Sequence, residues 1–135
     1  MYIIIVGSGK LGRTLAAELA DAGHNVSVVD SDAEKLGALG SGFNGLTVRG
    51  VEYDDDVLRQ AGVRSADCVV CATADDNLNI TIALVAQKTF EVGRVIARVN
   101  DPAKENVFEL LNIDTVDPTE LVSFLIKSKL EEERK

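Results

Sequence analysis

The sequence predicts an α/β fold: a doubly wound, six-stranded, mostly parallel sheet with helices on both faces. Short apolar runs rich in β-branched residues alternate with segments of helical periodicity along the whole chain. The first of these runs passes directly into IVGSGKLG, where Gly7, Gly9 and Gly12 stand at Gly-x-Gly-x-x-Gly spacing and open a helix. The length of 135 residues and the 46% hydrophobic content fit one domain with one buried core.

Residues 2–6 are continuously apolar, as a strand covered on both faces requires. Leu11, Leu15 and Leu19, with Ala16, Ala20 and Ala22, then recur at helical spacing, and Gly23 follows as C-cap. Residues 26–30 read as a second strand, 32–40 as a short helix and 46–49 as a third strand. A helix over 54–61 closed by Gly62, a fourth strand over 67–72 and a long helix over 75–90 come next. In that long helix Leu78, Ile82 and Val85 share a face. A fifth strand over 95–99, a helix over 102–111, a brief sixth strand at 115–116 and a last helix over 118–132 complete the pattern. The last helix starts with Asp117 as N-cap, Pro118 at N1 and Glu120 at N3. Beyond them Leu121, Val122, Phe124, Leu125, Ile126 and Leu130 wrap more than one face, and such a helix needs a partner.

A formal net charge of −8 with scattered basic residues counts against binding a nucleic-acid backbone, which requires clustered Lys and Arg. No apolar run approaches the ~20 residues of a membrane span, so a soluble, cytoplasmic chain without direct membrane insertion is expected. Cys68 and Cys71 form a C-x-x-C inside an apolar strand, where three positions apart means opposite faces. They read as core residues. His24 reads as a surface loop residue and Asp54, Asp55 and Asp56 as a solvated helix start, so neither a catalytic residue nor a metal site is assigned.

The glycine loop carries the chemistry. Gly7 permits a tight turn, Gly9 lets backbone approach a pyrophosphate, and Gly12 lets the helix pack close to the sheet. The loop from Gly7 through Ser8, Gly9, Lys10 and Leu11 to Gly12 then presents N–H groups to phosphates, helped by a helix-end charge of about +0.5. Asp30 ends the second strand, where a carboxylate accepts hydrogen bonds from both ribose hydroxyls of an adenosine and repels a 2'-phosphate. That favours NAD or a free adenine nucleotide over NADP, with Ser31 beside it in the site. Asp32 fits the N-cap of the second helix. In the strand order 3-2-1-4-5-6, strands one and four are neighbours, and Thr73 and Ala74 come to face the glycine loop. Asp75 or Asp76 caps the helix that follows. Arg98 is a charge inside a strand covered on both faces, so it requires a ligand phosphate, a crevice carboxylate or a structural salt bridge.

The segments MYIIIVGSGKLGRTLAAELADAGHNVSVVDSD, ADCVVCATADDNLNI, VIARVNDP and LLNIDTVDPTEL together resemble the TrkA N-terminal domain, or RCK N-lobe, of potassium-transport regulators. The resemblance covers almost the whole chain. It implies a non-enzymatic regulatory subunit or domain that senses NAD(H), ATP, ADP or AMP and controls a membrane potassium channel or transporter. It also implies a homodimer or higher ring, with residues 1–117 as the nucleotide-binding domain and 118–135 as a crossover helix packed on the neighbouring subunit. By position it places the phosphates on the glycine loop, the ribose on Asp30, Thr73 and Ala74 beside the nucleotide, and Arg98 facing the same crevice. One departure stands out: the family commonly shows Gly-Asp after the third strand, its carboxylate near the adenine, whereas this chain has Gly50-Val51-Glu52. Base selectivity then depends on whether Glu52 takes that place. Two other readings of the residues stay open, the cofactor domain of an NAD-dependent oxidoreductase and a scaffold that does not sense.

Overall fold

The computed structural model describes residues 1–133. Its strands are β1 (Tyr2–Val6), β2 (Asn25–Asp30), β3 (Leu46–Arg49), β4 (Cys68–Cys71), β5 (Val95–Arg98) and β6 (Asp114–Val116). They form one sheet in the order β3-β2-β1-β4-β5-β6, and all five pairings are parallel, so the mostly parallel sheet expected is wholly parallel. The α-helices are α1 (Lys10–Asp21), α2 (Ala33–Gly37), α3 (Asp55–Gln60), α4 (Asp76–Leu84), α5 (Glu105–Leu110) and α6 (Pro118–Glu133).

The pleat divides β1 between two cores. Ile4 and Val6 join Val29, Leu58, Ile82 and Phe108 under α3, α4 and α5. Ile3 and Ile5 join Ala16, Val26 and Val28 on the other face, where Leu15 and Leu36 of α1 and α2 close over them. Cys68 falls in the second core and Cys71 in the first, on opposite faces as their spacing requires. Burial pushes both thiols above their ordinary range, away from the reactive thiolate.

Several boundaries differ from expectation. The helix expected over 32–40 is α-helical only over Ala33–Gly37, and the long fourth helix changes at Val85–Thr89 into a π-helical turn. A 3-10 turn, Val63–Ser65, follows Gly62, and another, Pro102–Lys104, precedes α5. These turns lie where packing on the sheet sets the path of the chain, which periodicity alone does not register.

Aspartates start most of the helices. Asp32, Asp54 and Asp75 each accept two backbone N–H bonds as N-caps of α2, α3 and α4, and Asp117 does the same at α6. Each such cap stabilises its helix by about 1 kcal/mol. The start of α1 is different: its N-cap is Gly9, with no side-chain hydrogen bond. The first-turn N–H groups there keep their donors for something else.

Candidate functional site: a cleft at the carboxyl ends of the strands

The open start of α1 faces a cleft of about 540 Å³ across the tips of β1, β2 and β4, within the ~300–1,000 Å³ of small-molecule sites. Gly7 turns the chain out of β1 at φ +109°, a left-handed value, with its N–H donating to Val29 O at 2.8 Å. A side chain at Gly12 would put its Cβ 1.8 Å from Gly7 O, so glycine there is a condition of close helix–sheet packing. At Gly9 a Cβ would meet nothing within 4 Å: the space is open to the cleft.

Of the residues expected at the site, Gly7, Gly9, Lys10 and Leu11 line the cleft from the glycine loop. Asp30 and Ser31 form a second wall, Thr73 and Ala74 a third, and Arg98 reaches in from β5. Two expected residues do not line it. Ser8 is fully buried, because its N–H and hydroxyl both donate to Asp30 Oδ2, at 2.8 and 3.0 Å. Gly12 lies on the sheet side of α1, against Gly7 O.

Asp30 therefore has a task that the sequence does not announce. Its Oδ1 also accepts the N–H of Asp32 at 2.8 Å, so three protein donors converge on one carboxylate that is 5% exposed. Thr73 is held by Asn79, which is fully buried. Asn79 Oδ1 accepts from Thr73 N–H at 3.2 Å and Thr73 Oγ1 at 2.6 Å, while its Nδ2 donates to Thr73 O at 3.0 Å and Arg98 O at 2.9 Å. A single amide thus ties the tips of β4 and β5 together. Asp76, behind it, accepts from Asn100 N–H, Asn100 Nδ2 and Asp101 N–H at 2.8, 3.0 and 2.8 Å. Burial pushes the Asp76 carboxyl up, but these donors and the Lys104 ammonium outweigh it and hold it below the usual carboxylate range. Arg98 Nε donates to Asn100 Oδ1 at 2.9 Å, and among the described residues no carboxylate forms a salt bridge with it. Of the three partners expected for its charge, the structural ion pair is the one this arrangement does not provide.

The model of the TrkA-N domain family matches residues 3–117. The chain belongs to that family. A Trk system potassium uptake protein TrkA of Streptomyces coelicolor is 41% identical over 116 residues, which are 86% of this chain and 52% of that protein. The chain thus spans about half the length of this relative. The NAD(P)-binding domain of an exopolyphosphatase-related protein from Archaeoglobus fulgidus superposes with a TM-score of 0.82 at 26% identity, covering 96% of this chain and 97% of that one. The GsuK channel bound to NAD superposes with a TM-score of 0.74 at 25% identity, over 87% of this chain and 21% of that one.

In this TrkA-N domain the cleft also recruits residues for which no ligand contact was assigned. Lys35, on the first turns of α2, supplies a third cation beside Lys10 and Arg98, and Leu78 of α4 adds an apolar patch. The spacing of Lys35 from the cap Asp32 is the one signal that places it on the cleft side. The departure after β3 resolves by burial: Val51 is 47% exposed, whereas Glu52 is 8% exposed, lines the cleft and accepts the N–H of Ser31 at 2.9 Å. Away from the cleft, Glu105, Asp117 and Glu120 bring carboxylate oxygens within 4.8 Å of one another, a grouping the sequence reading did not single out. The capping of α6 accounts for Asp117 in it.

A second cavity of the TrkA-N domain, about 500 Å³, lies on the sheet face beside α1. Ile3, Leu15, Val70 and Ile96 line it with Leu121 and Val122 of α6, and Leu11 and Arg98 form a wall common to this groove and the cleft.

Proposed function

We propose that the cleft binds an adenine nucleotide, NAD(H) or ATP, ADP or AMP, and that the chain acts as a cytoplasmic regulatory domain or subunit of a membrane potassium channel or transporter. The observation that carries this reading is the start of α1. Among helices capped by aspartate, the one preceded by the glycine loop has no side-chain cap, and its free N–H groups face a cleft that also holds Lys10, Lys35 and Arg98. Free donors, a helix-end charge and nearby cations together favour phosphate. The glycine loop would hold the phosphates, and Thr73, Ala74 and Leu78 would flank the nucleotide. Asp30 and Glu52 make the opposite wall acidic, which suits ribose hydroxyls and opposes the 2'-phosphate of NADP.

The regulatory rather than catalytic role is supported by the relative in Streptomyces coelicolor, a potassium uptake protein. Among the described residues no helix is long and apolar enough to cross a membrane, which agrees with action through a membrane partner. Leu121, Val122, Phe124, Leu125, Ile126 and Leu130 of α6 are each at least 50% exposed. That is surface for a second subunit, in a homodimer or higher ring, with residues 118–135 as the assembling segment and 1–117 as the nucleotide domain. A nucleotide then regulates by binding two arrangements of the assembly unequally.

Calorimetric titration of nucleotide-free protein with NAD+, NADH, NADP+, ATP, ADP and AMP tests the reading. Binding of at least one adenine nucleotide near about 1 μM, equivalent to roughly −8 kcal/mol, with NADP+ much weaker, is the expected result. Absence of binding by all six refutes it.

A further inference from the structure

We propose that Glu52, rather than Asp30, is the carboxylate that recognises the ribose hydroxyls, and that Asp30 serves to hold the glycine loop. This rests on the nucleotide reading of the cleft and assigns its specificity. A carboxylate offers about four acceptor sites. Asp30 has committed three of them, to Ser8 N–H, Ser8 Oγ and Asp32 N–H. A vicinal diol brings two O–H donors, more than the single remaining site accommodates. Making room would strip a partner from the N–H of Ser8, a fully buried residue, and an unsatisfied buried donor is costly. The bonds from Ser8 also shape the phosphate loop, so releasing them would disturb the site they serve.

Glu52 has the opposite balance. It accepts one protein hydrogen bond among the described residues, from Ser31 N–H to Oε2 at 2.9 Å. At 8% exposure its remaining acceptors have little access to water except through the cleft that it lines. Its location selects the ribose over the base. Asp30 pairs with Arg49 across the β2–β3 ladder, and Gly50 N–H donates to Asp30 O at 3.1 Å, so the turn carrying Glu52 stands against the tip of β2. Glu52 bonds Ser31, whose neighbour Asp30 bonds Ser8 of the glycine loop. The ribose is the unit adjacent to the phosphates; the adenine lies beyond it.

The test is calorimetry with ADP, 2'-deoxy-ADP and inosine diphosphate on the wild type, Glu52→Gln, Glu52→Ala and Asp30→Asn, with thermal melts on each. Wild type is expected to prefer ADP over 2'-deoxy-ADP by about tenfold or more, as a charge-assisted hydrogen bond implies. That preference is expected to shrink in Glu52→Gln and to fall below about threefold in Glu52→Ala, with discrimination against inosine diphosphate kept. Asp30→Asn is expected to melt lower and, where folded, to keep the deoxy preference. A deoxy preference that survives both Glu52 variants, or that Asp30→Asn alone abolishes, overturns the proposal and leaves the nucleotide reading standing. Loss of discrimination against inosine diphosphate in the Glu52 variants overturns it in favour of the base. Failure of wild type to bind ADP at all overturns the nucleotide reading itself, and this assignment with it.

Discussion

Gly9→Ala separates a ligand-binding role of the glycine loop from a purely structural one. Gly9 is the N-cap of α1, with φ −69° and ψ −166°, an extended conformation that alanine adopts freely. The added methyl group meets nothing within 4 Å. Two small opposing effects act on stability. Loss of chain freedom in the unfolded state stabilises by about 0.4–1 kcal/mol, and alanine is a poorer N-cap than glycine by about the same amount. They nearly cancel, so the melting temperature is expected within about 2 °C of wild type, given about 4 °C per kcal/mol for a domain of this size. The methyl nevertheless occupies the space through which a pyrophosphate would approach the N–H groups of α1. A nucleotide affinity at least ~100-fold weaker, about 2.7 kcal/mol, is expected by calorimetry. Gly12→Ala is the control: its Cβ would sit 1.8 Å from Gly7 O, and the variant is expected to lose several °C of melting temperature whether or not ligand is present. A Gly9→Ala protein that is folded and binds within about twofold of wild type would refute the idea that the open space at Gly9 belongs to a phosphate.

Asn79→Ala removes an amide that serves Thr73 and Arg98 and leaves buried backbone groups unpaired; a loss of about 2–4 kcal/mol is expected in urea denaturation. Asp76 is held below its ordinary pKa in the folded protein, so its contribution is complete above the unfolded carboxylate value near 3.9 and disappears as pH falls through the folded value. Denaturation curves from pH 5 down to about 2.5 should therefore show Asp76→Asn less stable than wild type at the upper end, the difference closing at the lower. On α6, Phe124→Glu combined with Ile126→Glu changes side chains that are 64% and 54% exposed; light scattering is expected to show a smaller assembly and thermal melting little change in the fold.

The strand order and the glycine loop were legible because both rest on local signals: continuous apolar runs for strands buried on both faces, and glycines at fixed offsets. Asp30, Thr73, Ala74 and Arg98 could be gathered from three separate segments because the topology of a doubly wound sheet brings strand tips to one end. What sequence left open was the division of labour among the acidic groups. Nothing in the order Val29-Asp30-Ser31 tells that Ser8, 22 positions away, will fold beneath the loop and donate twice to Asp30. Nor does Gly50-Val51-Glu52 tell which of its side chains turns inward, since a turn has no period to read. Asn79 was equally hidden, a polar residue in a helix whose neighbours Leu78 and Ile82 set the visible pattern.

The wall formed by Leu11 and Arg98 has two wet sides of different character, one polar and one apolar. A side chain has one orientation at a time, so whatever immobilises it from the polar side also fixes the shape offered on the apolar side. Two binding events that meet at such a boundary exchange free energy, and the exchange is reciprocal, with couplings of about 1–3 kcal/mol where it has been resolved in other proteins. Solute concentration is then read as the size of the assembly, and crowding of the subunits is read back as tighter retention of the solute. The messenger between them needs no hinge and no moving domain: a leucine at the start of one helix and an arginine at the tip of one strand suffice.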